Sequence, residues 1–322
     1  MAFENRGLGV FLMLILIQLG TEGFCQYESV PIHSDVHKQT YTYAVKDTTQ
    51  LGLDVYFTGM EKPDSLRPCV IFIFGGAFIG GHRDDTLYNT YFNTLAEKNF
   101  VVVSISYRLG LRGKKPSKLN IGPLRDAIAM AVEDDYDATN WILANAKKYG
   151  IDTSKIILSG SSSGAITALM SDFGKRNSTS DAAKLPAGFQ YAGVVAFAGA
   201  ILTFDWGLKY KTNPPPILMF YGTDDHLVPF NKIRFLNKGL YGSSWIAKTL
   251  KEKGLPYEIY RAVGLGHEEA LLPMIYQMPR ILDFIETFIV LGKPYQIDFS
   301  FNDPTQKATM VKTPDEVFKK SK

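Results

Sequence analysis

Lys155-Ile156-Ile157-Leu158-Ser159-Gly160-Ser161-Ser162-Ser163-Gly164 sets a short apolar strand against a turn with glycines four residues apart. Ala165 to Met170 continue as the first turns of a helix. Strand, sharp turn and helix are the context in which Gly-x-Ser-x-Gly forms a nucleophile elbow. Such a turn forces its central residue into strained backbone geometry and crowds neighbouring segments together. The positions two before and two after the centre must therefore carry almost no side chain. Of the three adjacent serines, only Ser162 has glycine at both, namely Gly160 and Gly164. An ordinary Gly/Ser turn satisfies the same five residues, so the reading depends on what surrounds them.

Outward from the elbow, strands alternate with helices. Cys69 to Phe74, Phe100 to Ser106, Tyr191 to Ala198 and Ile217 to Tyr221 are apolar runs of the kind found in strands covered on both faces, and Tyr257 to Val263 is a final strand. Helices are predicted over Asp85 to Lys98, over Pro123 to Tyr149 with Gly150 as terminator, over Trp245 to Lys253 ended by Gly254, and over Glu268 to Leu291. Tyr41 to Val45 and Leu51 to Phe57 alternate instead, which suits an antiparallel ribbon at the sheet edge. The pattern predicts an α/β fold: a mostly parallel, doubly wound sheet with helices on both faces. No repeat, low-complexity stretch or linker divides it, so residues 26–322 are expected to form a single domain. Segments 199–216 and 230–244 have room only for small covers.

The bulk properties are those of a globular protein: 322 residues, 46% hydrophobic, 21% charged, net charge +3. Positive charge is concentrated only at Lys319-Lys320-Ser321-Lys322, a solvated tail rather than a nucleic-acid surface. Residues 1–25 carry Arg6, an apolar run from Val10 to Leu19 and Gly23-Phe24-Cys25. They read as a cleaved secretion signal, with a secreted or periplasmic product and no stable membrane span after cleavage. Lipid attachment at Cys25 is the alternative, and bulky Phe24 disfavours it. After cleavage Cys69 is the lone cysteine, set in an apolar strand as a buried, inert thiol. No Cys/His/Asp cluster has metal spacing and no Gly-rich loop precedes a Lys-Ser/Thr pair, so no metal, nucleotide or other cofactor is expected.

A nucleophilic serine needs a base to take its proton, a carboxylate to orient the base, and donors facing the developing oxyanion. There are five histidines. His33 and His37 precede the core strands, and His82 and His226 lie in loops. His267, in Gly264-Leu265-Gly266-His267, follows the last predicted strand and so lies at the strand's C-terminal edge, where ligand sites of such sheets gather. Asp224 and Asp225 follow strand 217–221 in the same way. The order is serine, aspartate, histidine.

With these residues in place, the chain resembles the α/β-hydrolase superfamily, and within it the carboxylesterases related to hormone-sensitive lipase and to bacterial feruloyl and acetyl-xylan esterases. The likeness runs from about residue 40 to residue 291. It includes Phe74-Gly75-Gly76-Ala77-Phe78, similar to the family's His-Gly-Gly-Gly/Ala-Phe/Trp loop, Ser106-Tyr107-Arg108-Leu109, and the run from Asp137 to Asp152. The resemblance implies Ser162 as nucleophile, His267 as base, Asp225 rather than Asp224 as the acid, and an oxyanion hole of Gly75, Gly76 and the Ser163 amide. It implies a secreted serine carboxylesterase working through an acyl-enzyme on small-molecule or carbohydrate esters, acetyl or feruloyl groups among them. Two departures stand out: Phe74 occupies the usual histidine position, and Ala165 a usual glycine. The competing readings are a prolyl-oligopeptidase-type serine peptidase, for which there is no strand-repeat region to build a propeller, and an inactive hydrolase fold used for binding. Elsewhere, Arg108 and Asp126 are expected to form a structural ion pair, His82, Arg83 and Asp84 a solvated loop, and Glu268 and Glu269 the start of the last helix. Phe78, Phe204, Trp206 and Tyr210 are candidates to line a pocket or to pack in the core.

Overall fold

The computed structural model describes residues 30–59, 65–116, 120–310 and 312–319; the expected secretion signal lies outside them. In chain order the elements are β1 (Val36–Lys46), β2 (Thr49–Thr58), β3 (Arg67–Ile73), α1 (Asn89–Glu97), β4 (Val101–Ile105), α2 (Gly122–Tyr149), β5 (Ile151–Ser161), α3 (Ser163–Asn177), β6 (Gly193–Phe197) and β7 (Ala200–Thr203). Then come β8 (Ile217–Gly222), β9 (Lys232–Phe235), β10 (Lys238–Gly242), α4 (Ser243–Glu252), β11 (Tyr257–Val263), α5 (Pro273–Tyr276), α6 (Met278–Phe284), β12 (Gln296–Asn302) and α7 (Pro314–Lys319).

Nine strands form one sheet in the order β1-β2-β4-β3-β5-β6-β8-β11-β12. The first two pairings are antiparallel and all the rest parallel. The apolar runs make this possible: every residue of β4, β6 and β8 is buried, as expected of strands with helices on both faces. β1 and β2, whose polar and apolar residues alternate, form the edge ribbon, longer than the sequence indicates. In the centre, Gly160 of β5 lies opposite Ile73 of β3 and Ala196 of β6, so the elbow leaves the middle of the sheet at its C-terminal edge. Cys69 is fully buried, and burial pushes its thiol well above the usual range.

Two expectations need correction, for the closing helix and for Arg108, and two stretches carry strands that the sequence reading did not assign. The closing helix is broken into a 3₁₀ turn at His267–Ala270, then α5, α6 and a π turn at Ile285–Val290, because Pro273 and Pro279 each start a new helix. Beyond residue 291, β12 adds a parallel strand outside β11, with Ile297, Phe299 and Phe301 alternating against polar neighbours. Segments 199–216 and 230–244 hold a separate three-stranded sheet, β7-β10-β9. Arg108 pairs not with Asp126 but with Asp134, at 2.7 Å, and Glu133, at 2.6 Å, whereas Asp126 pairs with exposed Arg125. Asp134 lies two turns further along α2, on its buried face.

The loop at 82–84 is only partly solvated. His82 and Asp84 are exposed, but the Arg83 guanidinium lies 3.1 Å from the buried carboxylate of Asp54 and bonds Ser106 Oγ. Ala165 packs in the space left by Gly199, where a β-carbon would come within 2.8 Å of the Ala165 methyl. A glycine across the interface thus accommodates the methyl that Ala165 adds.

Candidate active site

Ser162 has φ 51° and ψ −116°, a left-handed backbone unusual for a residue with a side chain. The strain is imposed from both sides. A β-carbon at Gly160 would lie 2.4 Å from the Gly164 carbonyl, and one at Gly164 would lie 1.9 Å from Ile73 O. Ser162 N–H donates to Phe197 O of β6 at 2.8 Å. The elbow is held to strands on both sides of β5, and the Ser162 side chain is lifted above the sheet edge.

His267 meets it there. Ser162 Oγ is 2.7 Å from His267 Nε2, and His267 Nδ1 is 2.7 Å from Asp225 Oδ2. A carboxylate can only accept, so Nδ1 carries the hydrogen towards Asp225 and Nε2 is left to accept from the serine hydroxyl. The other oxygen of Asp225 accepts the Leu227 and Val228 amides at 2.8 and 3.0 Å, which fixes the carboxylate plane. All three side chains are buried. Asp224 is exposed and bonds Thr223 Oγ1. The remaining histidines, His33, His37, His82 and His226, are all exposed.

The glycine loop divides differently from the sequence expectation. Gly75 N–H already donates to Tyr88 Oη at 3.2 Å, and a β-carbon there would crowd Ser161 O at 3.0 Å and Ser162 Cβ at 3.3 Å. Gly75 lets the loop pass close to the elbow while its own amide is engaged. Gly76 has φ 140°, and its carbonyl accepts Ile79 N–H and Gly80 N–H, closing a tight turn in which Ala77 and Phe78 are also left-handed. Among the described residues the amides of Gly76, Ala77 and Ser163 have no hydrogen-bond acceptor. The Ser163 amide is unpaired for a general reason, being at the first position of α3.

Phe74 is buried with its ring stacked on Tyr107 at 4.5 Å between centroids. Tyr107 Oη donates to Phe74 O at 3.0 Å and lies 3.3 Å from Ser163 Oγ. Tyr107 therefore ties the glycine loop to the elbow, a role the sequence motif did not reveal. Phe78 is core rather than lining, Tyr210 packs edge-on against Phe173, and Phe204 and Trp206 are exposed. Among the described residues no group of three His, Cys, Asp or Glu side chains could hold a metal ion. None of the helices among them is long and apolar enough to cross a membrane.

Glu268 and Glu269 are both buried next to His267 and belong to the 3₁₀ turn, not to a long helix. Glu268 accepts two backbone amides, Gly266 N–H at 2.7 Å and Met310 N–H at 3.0 Å. Glu269 Oε2 has no partner among the described residues. Burial, and then the neighbouring Glu268, push the Glu269 carboxyl up to about 8.

The BD-FAE family profile matches residues 53–206, a stretch that contains the glycine loop and Ser162 and stops short of Asp225 and His267. Juvenile hormone esterase of Heliothis virescens is 32% identical over 103 residues, which is 32% of this chain and 17% of that protein. Arylacetamide deacetylase of Bos taurus is 32% identical over 124 residues, 37% of this chain and 28% of that one. The matched stretch thus spans under a third of the length of these relatives. Among solved structures, esterase Est2 of Thermogutta terrifontis superposes with a TM-score of 0.58 at 21% identity, covering 77% of this chain and 92% of that chain. The likeness is one of fold.

Proposed function

We propose that this chain, which has the α/β-hydrolase fold, is a serine carboxylesterase that works through an acyl-enzyme. One observation carries the reading: the unbroken hydrogen-bonded chain from Ser162 Oγ through His267 to Asp225, with 2.7 Å at each link. His267 takes the Ser162 proton as the oxygen attacks the ester carbonyl, and Asp225 holds the tautomer and stabilises the imidazolium that forms. The negative charge that develops on the carbonyl oxygen falls to the Gly76 and Ser163 amides, with Ala77 as a third donor. Gly75 is left out because its amide already serves Tyr88. Loss of one such donor costs on the order of 10² to 10³ in rate. His267 then protonates the leaving alcohol, and water, deprotonated by the same imidazole, releases the acid.

The names of the relatives, esterases and a deacetylase, support ester chemistry. Acetyl or feruloyl esters of carbohydrate are the substrates we favour, on the likeness of the glycine loop and elbow to the carbohydrate esterases. Residues 1–25 support a secreted or periplasmic protein. The test is hydrolysis of a short-chain aryl ester by the wild type and by Ser162→Ala. Turnover that disappears with the hydroxyl agrees with the proposal, and turnover that persists refutes it.

A further inference from the structure

We infer that Glu268 is a positioning residue that latches the His267 loop to the carboxy-terminal segment at Met310, making that contact part of the working site. The inference rests on the esterase reading above. His267 needs such a latch because of where the chain places it. Its loop, Gly264-Leu265-Gly266, has two glycines, one of them at φ 78°, and only a single 3₁₀ turn follows. Glycine leaves such a segment free to move unless something outside it holds it.

One side of the loop is held by the turn that follows β8. Asp224 N–H donates to Leu265 O at 2.9 Å and Gly264 N–H to Thr223 Oγ1 at 2.9 Å. On the opposite side, among the described residues, Glu268 and Met310 hold the loop itself, while Ser161 Oγ–H donates to Ala270 O at 2.8 Å only at the far end of the turn. Oε1 of Glu268 accepts Gly266 N–H within the loop, and Oε2 accepts Met310 N–H from the segment lying across it. Met310 O in turn receives His267 N–H at 3.4 Å. The segment lies close enough that a β-carbon on Gly266 would come within 2.9 Å of Met310 O and 3.3 Å of the Ala308 methyl.

The fold delivers that segment to this place. β12 runs parallel to β11 with Asn302 opposite Val263, so both strands end at the same edge of the sheet. Asp303 Oδ1 then accepts Thr305 N–H and Thr305 Oγ1–H, turning the chain back towards the loop. The carboxylate suits the task, since both of its oxygens accept and neither donates. A glutamine would present an NH₂ group to one of the two amide hydrogens and lose a bond.

The test uses the full chain. Glu268→Gln removes one of the two bonds from the side-chain end, and Met310→Pro removes the tail's N–H donor. Lys307→Ala, on the same segment but outside the latch, is the control. Each is assayed with a short-chain aryl ester after titrating active sites with an organophosphate, so that kcat is expressed per competent site. We expect kcat to fall about 10- to 100-fold in both latch variants, because a misplacement near 1 Å costs about 10². KM should stay within about twofold, and the double variant should be far less impaired than the product of the single effects. Hydrogen exchange at the Gly266 and His267 amides should quicken in both. If kcat per titrated site stays within twofold of wild type while melting temperature falls, Glu268 is merely structural and the inference is overturned. A wild-type protein that neither titrates nor turns over would refute the esterase reading instead, which keeps the two failures apart.

Discussion

Gly164→Ala is a one-carbon perturbation whose size can be worked out from the structure. The new methyl carbon would lie 1.9 Å from Ile73 O, 2.5 Å from Ile73 C and 2.6 Å from Phe74 O, where carbon contacts in proteins essentially never fall under 3.0 Å. The shortest contact is about 1.1 Å too close, and all three obstacles are backbone, so no side chain can rotate away. β3 is bonded to β4 on one side and β5 on the other, so it cannot retreat without breaking register. Overpacking in a close-packed interior costs about 1–3 kcal/mol, and a backbone-on-backbone clash belongs at the top of that range. About 3 kcal/mol corresponds to a fall in melting temperature of roughly 5 °C for a domain of about 300 residues, given an unfolding entropy near 2.1 cal/mol/K per residue. Activity should suffer further, since Ile73 leads directly into the loop carrying Gly76. A displacement near 1 Å there predicts a drop in kcat of about 10² per folded molecule. Thermal unfolding followed by circular dichroism, together with aryl-ester kinetics at a temperature where the variant is folded, measures both. Gly188→Ala serves as control: its β-carbon meets nothing within 4 Å, so it should be neutral or stabilising by up to about 1 kcal/mol. Wild-type melting and wild-type kcat in Gly164→Ala would refute the steric account of the elbow.

Asp225→Asn should retain the fold and lower kcat on the order of 10³ to 10⁴, because an amide cannot hold the imidazole in the required tautomer; Asp224→Asn should stay within about twofold, and the reverse ranking would move the acid to Asp224. Tyr107→Phe should lower stability by about 1–3 kcal/mol by leaving Phe74 O without its buried donor, measured by urea unfolding, and an unchanged midpoint would contradict that bond. Glu269 gives a pH-dependent outcome. Its carboxyl is raised from 4.5 to about 8 in the folded protein, so the native state holds a proton that the unfolded chain releases. The stability it contributes is present below pH 4.5 and is lost as pH rises through about 8. The neutral Glu269→Gln should therefore gain melting temperature relative to wild type as pH climbs from 5 to 9, and a difference that stays flat with pH would contradict the assignment.

What the sequence revealed and what it hid follow from how local each feature is. The elbow is legible because its glycines answer a steric demand within five residues, and the positions of Asp225 and His267 follow from the strands just before them. Strand β12 was missed because half its residues are polar and its apolar half is half-buried or exposed, so only pairing with β11 makes it a strand. β9, Lys232-Ile233-Arg234-Phe235, alternates polar and apolar residues, but four residues, all of them exposed, are too short a run to stand out as a strand. Pro273 and Pro279 did mark the breaks in the closing helix, a signal present in the sequence and outweighed by the apolar pattern around it. The engagement of the Gly75 amide depends on Tyr88, thirteen residues away, and the latch on Glu268 depends on Met310, forty-two away. No spacing rule reaches such partners, because they are set by where β12 and the turn at Asp303 bring the chain.

Covalent labelling tests the central claim most directly. The protein is incubated with paraoxon, its intact mass is followed against residual aryl-ester hydrolysis, and the modified peptide is sequenced by tandem mass spectrometry. We predict a single diethylphosphoryl adduct on Ser162, accumulating in step with loss of turnover, greatly slowed in His267→Ala and absent in Ser162→Ala. An adduct on a different residue accompanying the loss of turnover, or full hydrolysis by a protein whose Ser162 is blocked, would contradict the account.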